Sequence, residues 1–247
     1  MIHKIIIDYF QMKNSPLHVG IIMDGNRRWA GIRGISSIKG HQHGARNVKK
    51  IVKESINLGI KELTIFAFST ENWNRVKSER IAIFTLFERY LNSEIAELDQ
   101  NNVKFKLIGS YGKFNKNLID LIVKAENITA NNNGLSLNVA LNYGGRSDIL
   151  HAVKKIAFLV EDKKLEVENI DEKLFSNFMM SKNVSNIDLL IRTSGEQRIS
   201  NFMLWQLVYS ELYFTNVLWP DFDENEFRYA IDVYSKRERR YGSSNIL

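Results

Sequence analysis

One carboxylate in this chain stands where an enzyme would place a catalytic acid or hold a cation. Asp24 follows the apolar run 17–23 and is succeeded by Gly25, Asn26, Arg27, Arg28, Trp29 and Ala30. A hard divalent cation such as Mg²⁺ takes one or two carboxylates together with the phosphate oxygens of a substrate, and Asp24 beside two guanidinium groups suits that chemistry. The same residues read equally well as a plain turn, since Asp-Gly and Asn are common turn formers. An aspartyl-phosphate mechanism would make Asp24 a nucleophile, but such enzymes usually carry a second aspartate two residues on, where this chain has Asn26. No G-x-x-x-x-G-K-[ST] and no G-x-G-x-x-G occurs, which removes the main support for nucleoside triphosphate and dinucleotide readings.

Three further clusters carry polar chemistry. Ser69, Thr70, Glu71, Asn72, Trp73, Asn74 and Arg75 crowd one loop after an apolar run, either a ligand-holding loop on a rigid scaffold or a capped turn. Arg192 and the segment Arg198, Ile199, Ser200 follow the apolar stretch 187–191. The planar fork of arginine matches phosphate oxygens, so these residues read as an anion clamp, the ordinary alternative being solvated surface charge. Glu211 lies inside the aromatic and aliphatic run 205–214, where a carboxylate must be paired, protonated or metal-bound. His41 and His43 are two residues apart with no third ligand in view, so zinc is a poor reading. Placed just before a helix start, His41 is better suited to hydrogen-bond an anion.

These loops need elements to position them. Strands are predicted over 17–23, 63–68, 103–108, 135–141 and 187–191, and helices over 44–58, 78–98, 115–130, 147–160 and 224–234. The alternation implies one α/β fold, a central, mainly parallel sheet flanked by helices. In such sheets ligands collect outside the carboxyl ends of the strands, which is where the loops after Met23, Phe68, Leu141 and Ile191 would emerge. A single domain over 1–247 is expected, with 1–16 as an N-terminal extension and 236–247 as a C-terminal arm; read alone, the basic tail 236–240 is a solvated helix end.

Composition sets outer bounds. The 247 residues include 44% hydrophobic and 25% charged side chains and no cysteine. Disulfides, thiolate metal sites and cysteine nucleophiles are thereby excluded, and a reducing cytoplasm fits. The patch Ile5, Ile6, Ile7 is interrupted by Asp8, so it is read as neither a signal peptide nor a membrane span. A net charge of +6 favours anionic partners in general. The basic residues are spread along the chain without recognisable reading elements, which argues against nucleic acid as the partner.

Taken together, the Asp24, Ser69–Arg75 and Arg192–Ser200 clusters resemble, in order and separation, the cis-prenyltransferase family, and the likeness runs from about His18 to Gly242. The resemblance implies a six-stranded, mainly parallel sheet around a hydrophobic tunnel, a homodimer, and Mg²⁺-dependent condensation of isopentenyl diphosphate onto an allylic starter such as farnesyl diphosphate. Its product would be the polyprenyl carrier of cell-wall precursors, made by a cytoplasmic enzyme with possible peripheral membrane contact. By the same resemblance Asp24 is the essential aspartate, and Glu211 completes the metal site from the partner-facing side. Gly25, Asn26, Arg28, Trp29 and His41 hold the starter diphosphate, and Arg192, Arg198, Ile199 and Ser200 clamp isopentenyl diphosphate. Ser69, Thr70, Glu71, Asn72, Trp73 and Arg75 lie over the reacting carbons. Asn72, a neutral amide, is too weak a base to take a proton and is expected to position substrate or water, leaving released diphosphate as the better acceptor.

Two positions depart from the pattern. Arg27 stands where the loop normally has glycine, and Ser37 where an arginine commonly precedes the Gly40-His41 pair; Arg27 is expected to supply the charge missing at Ser37. The apolar positions Ile81, Phe84, Leu86, Phe87, Leu91, Leu135 and Leu137 are expected to line the tunnel or to serve as ordinary core. No two aspartates are adjacent, so the D-D-x-x-D motif of trans-type synthases is absent. A catalytically silent subunit is the competing reading, and the presence of Asp24, Arg28, Arg192, Arg198 and Glu211 weighs against it.

Overall fold

A computed structural model describes residues 15–239. The first strand, β1 (His18–Ile22), is buried along its whole length. It leads through Asp24 into a short helix, α1 (Asn26–Ile32), and then a long one, α2 (Ser37–Asn57). Next come β2 (Glu62–Ser69), a 3₁₀ turn (Thr70–Asn74) and the longest helix, α3 (Lys77–Gln100). The chain continues through β3 (Lys104–Ile108), α4 (Lys116–Ile128), β4 (Ser136–Tyr143), α5 (Gly145–Glu161) and α6 (Glu172–Phe178). It closes with β5 (Leu189–Arg192), β6 (Glu211–Phe214) and α7 (Glu224–Ser235). The six strands form one sheet in the order β3-β4-β2-β1-β5-β6, and every neighbouring pair is parallel.

All five expected strands and all five expected helices are present, and the additions each have a local cause. The segment expected to be a polar loop after Met23 winds into α1, because Gly25 takes a left-handed conformation (φ 106°) that turns the chain sharply out of the sheet edge. Helix α2 begins at Ser37 rather than Gly44, so His41 lies inside the helix instead of before it. Its first turns carry no apolar period because Gly40 and Gly44 face α1. A Cβ at Gly40 would meet the Asn26 carbonyl oxygen at 2.2 Å, and one at Gly44 the Asn26 Oδ1 at 2.1 Å. The sixth strand, β6, lies within the run that was read only as surroundings for Glu211.

The sheet is covered on both faces, as a parallel sheet requires. One face packs Ile21, Leu63, Ile65, Leu137, Val139 and Ile191 against helical residues such as Ile51, Leu91 and Ile122. The other packs Ile22, Ile108, Ala140 and Leu190 against Phe202, Met203 and Leu207. No helix among the described residues is long and apolar enough to cross a membrane. The patch Ile5–Ile7 and the tail beyond Arg239 lie outside the described residues.

Candidate active site

The carboxyl ends of β1, β2 and β5 meet at one edge of the sheet, and the three polar clusters of the sequence meet there with them. Ile22 is paired with Phe66 on one side and Arg192 on the other, so Asp24 and Arg192 leave adjacent strands close together. The Arg192 side chain is only 4% exposed and forms the hub. Its Nη2 donates to Asp24 Oδ2 at 2.8 Å, and its Nη1 donates to Ser200 Oγ at 2.6 Å and to the Arg198 carbonyl at 2.5 Å. The other Asp24 oxygen accepts from the Gly25 amide at 2.7 Å. Thr193 fixes the Asp24 backbone, accepting from its amide at 2.9 Å and donating to its carbonyl at 2.7 Å.

The loop that carries Ser200 is held in conformations a side chain seldom adopts. Ser194, Ser200, Asn201 and Met203 all have positive φ (76°, 46°, 62° and 39°), each costing on the order of 1–3 kcal/mol. Non-glycine residues in this region persist only where the surroundings over-determine them. Here the surroundings include Asn201, whose Nδ2 donates to Glu71 Oε1 at 2.8 Å and whose Oδ1 accepts from the Arg146 amide at 2.8 Å. The loops after β2, β4 and β5 are thereby tied together. Arg192 Nε, Ser194 Oγ, Asn26 Oδ1 and His41 Nε2 are buried in this region without a hydrogen-bond partner. Such orphaned groups are rare in folded proteins and here mark a site built for polar ligand atoms.

A second charge cluster sits at the start of α3. The buried Glu79 faces Arg75 at 3.2 Å, His41 at 3.6 Å and Arg27 at 3.7 Å. Burial, reinforced by Arg75, pushes the His41 imidazole below its ordinary range despite Glu79, so His41 stands ready as a neutral ring. Arg28 donates to the Ser194 carbonyl at 2.7 Å and to Glu196 at 2.9 Å, and Glu196 also holds Arg198 at 2.5 Å. Arg198, and secondarily Arg28, keeps the Glu196 carboxyl low.

These groups ring the mouth of a cavity of about 920 Å³. Asp24, Gly25, Asn26, Arg27, Arg28, His41, Ser69, Glu71, Asn72, Arg75, Arg192 and Ser200 all line it, and its interior is walled by apolar residues of α2, α3, β2 and β4. Of the expected apolar lining, Leu86, Phe87, Leu91 and Leu137 are in place. Ile81 is exposed, Leu135 is buried away from the cavity, and Phe84 packs with Phe68 and Trp73.

The expected residues Trp29, Ser37, Thr70, Trp73, Arg198 and Ile199 lie outside the cavity lining, whereas Asn72 is part of it. Trp29 is buried and donates to Asp221 at 2.7 Å, with Arg33 over its ring. Trp73 donates to Asn142 at 2.7 Å, and Thr70 bonds Glu71 at 3.2 Å. Asn72 spends its amide oxygen on capping, accepting from the Ser69 amide at 3.2 Å. Arg198 is largely exposed, Ile199 packs on the second core, and Ser37 only opens α2.

Glu211 is not brought to Asp24 within this chain. It begins β6, paired with Leu189 at the amino edge of the sheet, whereas Asp24 lies beyond the carboxyl edge. Its carboxylate accepts from Arg237 at 2.8 Å, the ordinary pairing of a partly buried acid. In the tail 236–239, Lys236 and Glu238 are exposed, whereas Arg237 and Arg239 are tied down, the latter on Asp188 at 2.6 Å. Sequence reasoning passed over Thr193, Glu79, Glu196 and Asn201. Glu79 offered a faint signal, an acid four residues after Arg75 at a helix start.

The donor set at Asp24 fits a cation shared with a phosphorylated ligand. No group of three or more metal-ligating side chains occurs among the described residues. Mg²⁺, which keeps several waters and leans on substrate oxygens, needs only one carboxylate of this kind.

Comparison with known proteins agrees with this geometry. The chain is 49% identical over 229 residues, 93% of its length and 90% of the relative's, to a ditrans,polycis-undecaprenyl-diphosphate synthase of Photorhabdus laumondii specific for (2E,6E)-farnesyl diphosphate. It is 48% identical to an isoprenyl transferase of Clostridium tetani, covering 97% of this chain and 94% of that one. Among solved structures, lavandulyl diphosphate synthase of Lavandula x intermedia in complex with dimethylallyl diphosphate superposes with a TM-score of 0.90 at 42% identity, covering 94% of this chain and all of that one. A protein of Campylobacter jejuni described as a probable undecaprenyl diphosphate synthase superposes at 0.77 with 32% identity, covering 93% of this chain and 100% of that one. With the family model of undecaprenyl diphosphate synthases matching residues 22–242, the chain belongs to that prenyltransferase family.

Proposed function

We propose that this enzyme condenses isopentenyl diphosphate onto farnesyl diphosphate or another allylic diphosphate, building a long cis-polyprenyl diphosphate such as undecaprenyl diphosphate. The observation that carries the reading is the pairing of buried Arg192 with Asp24 at the mouth of a cavity whose sheet side is walled by apolar residues. One ligand class needs both halves, an anionic head and a hydrocarbon tail.

The residues divide the work by position. Arg192, with Ser200 and the neighbouring Arg198, receives one diphosphate, and the strained loop holds Ser200 in place before substrate arrives. Arg28, His41 and Arg75 receive the other on the α1–α2 side. Asp24 lies between the two and would hold Mg²⁺, which when bound neutralises developing charge on the departing diphosphate. The apolar walls exclude water from the reacting allyl group. Asn72 fixes the Ser69–Arg75 turn and leaves its NH₂ group to orient substrate. Farnesyl diphosphate as starter rests on the names of the relatives.

The lavender neighbour supports a second reading, condensation of short allylic diphosphates. The extent of the cavity favours a long hydrocarbon over that alternative. Incubating the purified protein with farnesyl diphosphate, labelled isopentenyl diphosphate and Mg²⁺ tests the proposal. Long extractable polyprenyl products are expected from the native chain, with a loss of about a hundredfold or more in Asp24→Ala. A folded native protein that makes no lipid from these substrates would overturn it.

A further inference from the structure

Two loops that the proposed chemistry assigns to different diphosphates meet through one pair of side chains. The turn Thr70–Asn74, with Arg75 after it, stands on the starter side, and the loop after β5 carries Arg198 and Ser200. Asn201 Nδ2 donates to Glu71 Oε1 at 2.8 Å, and the other Glu71 oxygen accepts from Thr70 Oγ1 at 3.2 Å. Glu71 and Asn201 both line the cavity, together with Asn72 and Arg75 from the first loop and Ser200 from the second. Burial pushes the Glu71 carboxyl up, but the bond from Asn201 and those within its own turn more than reverse this. Glu71 therefore meets Asn201 as a charged acceptor.

Asn201 is anchored on its other side as well. Its Oδ1 accepts from the Arg146 amide at 2.8 Å and its carbonyl from the Gly145 amide at 2.7 Å, so the start of α5 fixes the side chain that Glu71 receives. Its φ of 62° is one that asparagine tolerates better than most residues. Beside the pair lies Gly144, whose φ of −160° is extended backbone open to any residue. What demands glycine there is space: a Cβ would meet Thr70 Oγ1 at 2.6 Å and Asn201 Nδ2 at 2.8 Å. The bare backbone lets the two loops close over it.

We infer that Asn201 is a positioning residue: its bond to Glu71, closed over Gly144, holds the starter-side turn and the loop of Ser200 at the separation that brings the reacting ends of the two bound substrates together. The inference rests on the polyprenyl synthase reading above. A misplacement of about 1 Å between held reactants can cost on the order of a hundredfold in rate. The bond therefore acts on turnover rather than on the binding of either substrate alone.

Asn201→Asp tests this, because it keeps an acceptor for the Arg146 amide and sets a carboxylate against Glu71. With farnesyl diphosphate, labelled isopentenyl diphosphate and Mg²⁺, kcat should fall by at least about tenfold. The affinity for farnesyl diphosphate alone, by calorimetry, and KM for isopentenyl diphosphate should stay within about threefold of native. Adding Glu71→Gln to Asn201→Asp re-forms the bond with donor and acceptor exchanged, the new amide donating to the new carboxylate, and should bring kcat back to within about threefold of native. Gly144→Ala, which prises the loops apart without altering either polar partner, should lose kcat in the same pattern. Native kcat in Asn201→Asp would overturn the inference, and so would a double variant no faster than Asn201→Asp, since the Glu71 charge would then be acting on substrate itself. A lower melting temperature with native turnover of the folded fraction would overturn it too, leaving Asn201 a structural role alone. Absence of polyprenyl product from the native chain would instead sink the synthase reading beneath it.

Discussion

Arg192 shows how much of the site one side chain organises. Its fork spans Asp24, Ser200 and the Arg198 carbonyl from a buried position, and an ammonium cannot reproduce that planar geometry. Arg192→Lys keeps the charge and loses the fork. It should lower kcat/KM for isopentenyl diphosphate by about a hundredfold, measured by steady-state kinetics, while circular dichroism melting stays close to native. Equal kinetics in the lysine variant would mean that only the charge matters. Residues of this kind were legible in the sequence because arginine and serine beside a strand's carboxyl end have few structural reasons to cluster. Glu79 and Thr193 were not, since a lone acid or threonine is commonplace until folding surrounds it with two arginines and a histidine or sets it under an aspartate.

At the scale of elements, the strands were legible wherever burial on both faces made them continuous apolar runs, as with β1 and β4. α1 was hidden because its first residues are polar for the sake of the site, and the opening turns of α2 because two glycines replace apolar contacts there. The sheet also carries a buried polar seam that no period reveals. His18, 1% exposed, lies 2.7 Å from Thr64 Oγ1 through Nε2 and 3.0 Å from the Ser185 carbonyl through Nδ1. The carbonyl can only accept, so the proton is assigned to Nδ1, and the Thr64 hydroxyl donates to Nε2 while accepting from Asn138 at 3.1 Å. Burial lowers the His18 pKa below 6.5, with Glu62 and Asp188 opposing. The unfolded chain therefore takes up a proton near pH 6.5 that the folded chain refuses. The stability this neutral ring contributes is complete above that pH and is lost as pH falls toward the lower folded value. Between pH 6.5 and 5.5 stability should therefore fall, read from urea midpoints. His18→Gln should flatten that part of the slope and leave the contribution of His41, which has the same sign.

At the scale of the whole molecule, Glu211 stands on the amino edge of β6 while the cavity opens at the carboxyl edge. β6 is an outermost strand of the sheet, and Val208 and Tyr209 before it and Leu212 within it are exposed. An open edge with apolar neighbours calls for a cover, and we propose that a second copy of the chain, as the family resemblance implies, is that cover. In a two-fold pair the same patch serves both subunits, so an acid too far from its own Asp24 can be set beside the other subunit's mouth. Mixing subunits separates this arrangement from a purely structural role for the Glu211–Arg237 pair. Asp24→Ala and Glu211→Ala homodimers should each be nearly inactive. Unfolded and refolded together, they should recover about a quarter of native activity, because half of the random pairs are mixed and each mixed pair holds one site with both acids intact. If Glu211 acts only within its own subunit, every site in the mixture lacks one acid or the other and no activity returns. If it serves only to dock the tail through Arg237, Glu211→Ala should lose thermal stability while the turnover of its folded fraction stays native.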